Sequence, residues 1–193
     1  LRAAIANAPA VSPDDFAAIG GQASVPVEAI QMGAAVARWG ASTLQVVDNG
    51  WLQGVGAPLT QRAPEYASDE AVWAALHTTP GLAVLHGSAL PRRDAPTRNA
   101  GTTFGTDPFV FQGMYRDDRG FTPTVVWLRD PKGGPPMKLT VIGVMDARTS
   151  IGRGVYTTAD TVRAAGWTPP TPGAYYLKVA PGVAPRAAAL GLG

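Results

Sequence analysis

Met137-Lys138-Leu139-Thr140-Val141-Ile142-Gly143-Val144-Met145 is the most strand-like run of the chain. Leu139, Val141 and Gly143 would point to one face, and Thr140, Ile142 and Val144 to the other. Both faces are largely apolar, which predicts a strand covered on both sides in the middle of a sheet. The Gly/Pro turn Asp130-Pro131-Lys132-Gly133-Gly134-Pro135-Pro136 precedes it, and before that comes the β-rich run Thr124-Val125-Val126-Trp127-Leu128-Arg129. The two runs read as a hairpin with a long loop.

Composition narrows the function classes. The 193 residues suit one large domain or two small lobes, and a hydrophobic fraction of 46% can fill an ordinary core. A formal net charge of +2 gives no footprint for nucleic acid. With no cysteine, neither a disulfide framework nor a thiolate metal site can form. No apolar run approaches the ~18 residues that a spanning helix needs. The 18 prolines and 23 glycines favour many short elements. The chain opens in mid-pattern at Leu1-Arg2-Ala3-Ala4-Ile5 and stops in the helix-prone Pro185-Arg186-Ala187-Ala188-Ala189-Leu190, as a piece of a longer protein would.

Working outward, Ser12-Pro13-Asp14-Asp15-Phe16 predicts a helix start, with Gly20-Gly21 as its stop. Ala23 to Met32 reads as extended, and Pro26 marks an edge or an irregularity there. Leu44 to Asp48 is a strand, and Asn49 to Leu52 turns out of it into a short helical turn. Ser68 caps the best helix of the chain, whose buried stripe is Val72, Trp73 and Leu76. Leu82 to His86 follows as a buried strand. From Pro91 to Gly120 the pattern weakens to loops, with one short strand at Pro108-Phe109-Val110-Phe111. After the hairpin come a strand at Gly152 to Thr157, a helix at Thr158 to Ala165, a strand at Ala174 to Val179, and a final helix near Ala184-Pro185. The alternation at the end matches a split βαβ layer.

Few residues offer chemistry. The histidines are His77, at a helix C-terminus, and His86, at a strand end beside Gly87-Ser88. A hydrolase would need His86 as base and Ser88 as nucleophile, and two positions on a strand end are a poor geometry for that. No spacing of histidines and carboxylates suggests a metal site. Asp14, Asp15, Asp69, Glu70 and Asp160 fall in first turns of helices, where capping accounts for them. No catalytic, metal or cofactor residues are expected. Arg92, Arg93 and Arg98 could bind anions, but a solvated loop explains them better. Phe104, Phe109, Phe111 and Tyr115 read more readily as a small core than as a ligand platform, and would mark a partner surface if exposed.

Three stretches taken in order resemble one family: Val46 to Leu52 leading through Arg62 to Leu76 and Pro80 to Val84; Lys138 to Met145; and Tyr175 to Pro185. They look like the extracytoplasmic domain of FtsX/MacB-type ABC transporter permeases. That family carries a strand of the V-T-V-I-G-V kind, then a short G-V-Y-T-S strand, a helix, and a strand running into V-A-P-G. Here these are Leu139 to Met145, Gly154 to Thr158, Thr161 to Gly166, and Leu177 to Pro185. The resemblance implies an α+β fold: a split βαβ porter-like, membrane-proximal lobe from residues 1–32 and 137–193, with a second mixed lobe, 33–136, inserted. It implies a bacterial, non-enzymatic domain outside the membrane, whose parent is a dimeric membrane protein. ATP would be bound by a separate cytosolic ATPase reached through transmembrane helices, and an extracytoplasmic protein could be a further partner. The alternative is a free periplasmic or secreted ligand-binding protein with a cleft between two lobes. If the domain stands on one membrane face, the two chain ends lie on the same side of the molecule.

Overall fold

The computed structural model describes residues 16–35, 37–94 and 107–182. In chain order the elements are β1 (Phe16–Gln31), β2 (Gly40–Val47), α1 (Asn49–Gly54), β3 (Leu59–Arg62), α2 (Asp69–Thr78), β4 (Leu82–His86), β5 (Thr124–Arg129), β6 (Met137–Met145), β7 (Val155–Thr158), α3 (Ala159–Ala164) and β8 (Ala174–Val179). The fold is α+β around one mixed eight-stranded sheet.

β6 takes the central place its two apolar faces predict. It pairs antiparallel with β5 and β3 and parallel with β4, and five of its nine residues in a row, Val141 to Met145, are buried. β1 pairs with β2 along its middle and with β5 at its end, so β1, β2, β7, β4, β6 and β5 close into a ring of hydrogen-bonded neighbours. Closure removes sheet edges, and with them open backbone donors and acceptors. β3 and β8 hang on the ring from outside, on β6 and β1.

The closing βαβ unit is split as expected. β7 runs parallel to β2, while β2 and β8 both run antiparallel to β1. β7 and β8 are therefore parallel, with β2 and β1 between them.

One expectation needs correction. Residues 16–20 are strand, not helix, because they pair with β8 from Phe16↔Val179 to Gly20↔Tyr176. Residues 12–15 lie outside the described residues, as do the final helix and both chain termini. Gly20-Gly21 is a close contact and not a helix stop: a Cβ on Gly20 would stand 2.2 Å from Trp51 Cα. The portions 1–32/137–193 and 33–136 meet in one sheet. β2, β3, β4 and β5 of the middle portion share the sheet with β1, β6, β7 and β8. Backbone pairing along both edges of β6 and β1 draws the two portions together.

Pro26 has a local explanation. Asp48 donates its N–H to Gly21 O (3.1 Å), so odd-numbered β1 residues direct their backbone groups at β2 and even-numbered ones at the opposite side. On that opposite side β8 pairs up to Gln22 and β5 starts at Glu28. Pro26 sits in the gap between them, where no ladder needs its missing N–H.

Candidate functional site

Three places combine polar or exposed groups with defined geometry: the root of β1, its far end, and the corner after β4.

At the root, α1 is clamped onto β1. Asp48 caps α1 by accepting from Trp51 N (2.9 Å), and its other carboxylate oxygen accepts from Gly21 N (2.9 Å). Gly50 allows the approach, since a Cβ there would lie 1.9 Å from Ile19 O. The clamp drives Trp51 into the core, edge-on to Trp73 (5.5 Å) and Tyr176 (6.4 Å) and tilted against Tyr156 (5.5 Å). The indole N–H donates to Gln22 Oε1 (3.0 Å). Gln22 Nε2 donates to Gln45 Oε1 (2.7 Å) and Ile151 O (2.8 Å), and Gln45 Nε2 donates to Arg153 O (2.8 Å). Tyr156 donates its hydroxyl to Gly152 O (2.7 Å), and burial pushes its phenol pKa up. Two buried amides thus bind the 151–153 loop to the β1–β2 hairpin. Phe16 and Val179 are paired, so the first and last described strand residues leave the sheet side by side.

The far end of β1 lies about 50 Å along the strand from Phe16, at ~3.3 Å per residue. There Gln31 and Gln112 exchange two hydrogen bonds: Gln31 Nε2 to Gln112 O (3.0 Å) and Gln112 N to Gln31 Oε1 (2.8 Å). Beside this contact in sequence are Met32, 56% exposed, and Val110, 46% exposed. The expected partner surface is different in detail. Phe104 lies outside the described residues. Phe109 and Phe111 are buried, and Tyr115 lies half-buried with the Arg93 guanidinium 4.5 Å over its ring. Side chains alternate along 109–111, so the buried phenylalanines leave Val110 as the exposed residue. The strand expected at 108–111 is a single bridge, Ala41↔Pro108. Met32 carried no sequence signal beyond its hydrophobicity.

At the corner after β4, His86 and Ser88 do come together, contrary to the expectation. His86 Nδ1 lies 2.8 Å from Ser88 Oγ and accepts from Ser88 N (3.1 Å), while Nε2 lies 3.1 Å from Thr149 O. A carbonyl can only accept, which puts the ring proton on Nε2 and leaves Nδ1 as acceptor. The imidazole is 1% exposed, and burial depresses its pKa. The arrangement caps the short 3-10 turn Gly87–Ala89, and a backbone carbonyl orients the ring where a catalytic triad would have a carboxylate. Next to it is a groove of about 670 Å³ lined by Thr60, Gly87, Arg92, Arg116 and Asp146 among others. Arg116 is fixed by donating to Leu90 O (2.8 Å) and Ser88 O (3.0 Å). Burial and the nearby Arg92 and Arg153 push its pKa down. The acids there are already paired: Asp117 and Asp118 with Arg93, and Asp146 with Arg148. Hydrogen bonds from Arg148 hold the Asp146 carboxyl at about 2. Among the described residues no cluster of three or more histidine or acidic side chains could hold a metal ion. No helix among them is long and apolar enough to cross a membrane.

No protein-family model and no curated protein matches the sequence. Solved structures do match in fold. The periplasmic region of MacB from Actinobacillus actinomycetemcomitans aligns with 100% of this chain and 71% of its own, at 14% identity and a TM-score of 0.53. The extracellular domain of the noncanonic ABC-type transporter YknZ from Gram-positive bacteria aligns with 92% of this chain and 70% of its own, at 11% identity and a TM-score of 0.46. The likeness rests on the first of these, and it is one of fold: the chain is built as the MacB periplasmic region is.

Proposed function

We propose that this chain is the extracytoplasmic domain of an FtsX/MacB-type ABC transporter permease subunit. In this reading both ends of the domain lead to transmembrane helices of the parent, a separate cytosolic ATPase supplies the driving motion, and the domain carries that motion to a substrate or partner outside the membrane. It does no chemistry of its own. The observation that carries the reading is the pairing of Phe16 with Val179 in a chain with the MacB fold. It supports a domain whose two strand ends approach one membrane face together. β1 then runs from that root to the exposed Met32, within hydrogen-bonding reach of the 107–112 segment. The alternative of a ligand cleft between two lobes has less support, since strands of both portions share one ring.

The test uses the parent protein in its own cell. The chain has no cysteine, so Lys132→Cys, in the exposed β5–β6 turn, introduces a unique thiol within the domain. We expect apolar spans of ~20 residues on both sides of the domain, recovery of the parent with membranes, and reaction of this thiol with a membrane-impermeant maleimide on intact, outer-membrane-permeabilised cells. Labelling only after lysis, or a leader peptide followed by this domain with no spans, overturns the reading.

A further inference from the structure

β6 ends at Met145 beside the corner after β4, and the groove of about 670 Å³ there has the size of a small-molecule site. Both β1 and β6 run antiparallel to β5, so β6 runs the same way as the end of β1. Its Met145 end therefore points away from the root at Phe16. Val144 and Thr60 line the groove from the sheet, and Arg92 and Arg116 line it from the long connection between β4 and β5.

Arg116 is anchored by the chain's own backbone. Its N–H donates to Pro91 O (3.1 Å), its Nε to Leu90 O (2.8 Å) and its Nη2 to Ser88 O (3.0 Å). A guanidinium has five N–H donors. Two are spent on the Leu90 and Ser88 carbonyls, and the others have no acceptor among the described residues. The side chain is half-buried, with Arg92 and Arg153 close enough to disfavour its charge. None of these three arginines forms an ion pair with a described residue.

Nearby acids do not answer this charge. Asp117 and Asp118 are held by Arg93, and Asp146 by Arg148. Asp94 lines the groove but is exposed and makes no ion pair with a described residue. The segment 95–106, outside the described residues, contains Arg98 and no acid, so its sequence offers these arginines no carboxylate. A partly desolvated cation with unspent donors is costly unless an anion meets it.

We infer that this groove binds an oxyanion, the phosphate or carboxylate group of a small solute, on Arg116 with Arg92 beside it. The planar guanidinium fork matches either group bidentately. Because backbone carbonyls already fix Arg116, little side-chain freedom is lost on binding. Partial burial strengthens the pair relative to one at the open surface. Anion binding here goes beyond the transporter reading and does not depend on it.

Nuclear magnetic resonance of the full 193-residue chain tests it. Inorganic phosphate and acetate are titrated separately at constant ionic strength, so that screening does not change. At least one of them should give saturable shifts of the Arg116 Nε–H and of the Gly87 and Ala147 amides, and the anion that does so identifies the group recognised. Arg116→Gln should weaken that binding by about tenfold or more, as loss of a charge-assisted bidentate contact does. Arg119→Gln makes the same change in net charge at an exposed residue that does not line the groove, and should leave the affinity unchanged. No saturation with either anion, or equal weakening by Arg116→Gln and Arg119→Gln, overturns the inference and leaves only a general ion atmosphere. Should Arg116→Gln lose its dispersed spectrum, Arg92→Gln decides, because it keeps the anchored guanidinium. It should weaken binding by about threefold, the scale of an exposed charge, and unchanged affinity overturns the inference.

Discussion

Leu139 and Val141 in β6 are fully buried, whereas Leu177 and Val179 in β8 are only half-buried, although the residue types are the same. The two strands also look alike as sequence: each is a short run of apolar β-formers with one lysine. What separates them is neighbours. β6 has β5 and β3 along one edge and β4 along the other, with side chains of the ring and helices over it. β8 has β1 on one edge and α1 beside it. A strand's composition therefore reports that it is a strand, while its stability contribution is set by pairings remote in sequence. β6 holds the ring together and β8 is attached to it.

That contrast breaks most directly under truncation. Leu139→Ala should cost about 2–5 kcal/mol, the range for emptying a packed core site. Leu177→Ala should cost well under half of that, because much of its surface already meets solvent in the folded chain. Urea unfolding followed by tryptophan fluorescence measures both. Equal losses would mean that β8 is as integral to the core as β6.

Glycine substitutions sharpen the same comparison at the level of the backbone. Gly50→Ala places a methyl 1.9 Å from Ile19 O, a backbone atom that can move only if α1 lifts off β1. Gly173→Ala, just before β8, meets nothing within 4 Å and needs no left-handed backbone. The first should lower the melting temperature sharply, and the second should leave it unchanged or raise it slightly by stiffening the unfolded chain. A tolerated Gly50→Ala would show that the α1 clamp is looser than its Asp48 hydrogen bonds imply.

A smaller loss is expected from Gln22→Leu, which keeps the side chain's bulk but removes both ends of a buried amide. Trp51 Nε1 would lose its acceptor and Gln45 Oε1 would lose one of its donors, with Ser24 Oγ remaining at 2.6 Å. A buried donor left unpaired costs about 1–3 kcal/mol. Differential scanning calorimetry of Gln22→Leu, Gln45→Leu and the double variant should show clear non-additivity, since each single change already breaks the shared bond. Additive losses would mean that the two amides act independently.

Elements set by local chemistry were legible in the sequence. Ser68 accepts from Ala71 N and Val72, Trp73 and Leu76 are buried, as the cap and the spacing predict. The hairpin of β5 and β6 is equally plain. The misread start at Ser12 to Gly20 shows the limit. Capping signals favoured a helix, but pairing with β8, more than 150 residues away, holds 16–20 extended. Nothing local records that β1 reaches β2, β5 and β8 at once. Gln22 and Gln45 lie at ordinary strand positions, and only the ring places them against each other. Phe109 and Phe111 are core, the reading their aromatic character favours, and alternation between them leaves Val110 exposed.

The smallest expected effect concerns His86, and it separates a structural histidine from a reactive one. The folded chain needs its ring neutral, because Nδ1 accepts from Ser88 N and lies 2.8 Å from Ser88 Oγ, and burial holds the pKa below the ordinary 6.5. An unfolded histidine takes up its proton near 6.5. Below that pH the unfolded state binds more protons than the folded one, so the stability contributed by neutral His86 is complete above about 6.5 and declines as the pH falls through the window beneath it. His86→Asn supplies a side-chain oxygen where Nδ1 stood, with nothing to titrate. Wild type should lose melting temperature between pH 7.5 and 5.5 more steeply than His86→Asn, and the two curves should converge toward acid. Parallel curves would mean that protonation at Nδ1 is tolerated and that the 3-10 turn opens to admit it. The corner after β4 would then resemble β8, a part attached to the ring, more than β6.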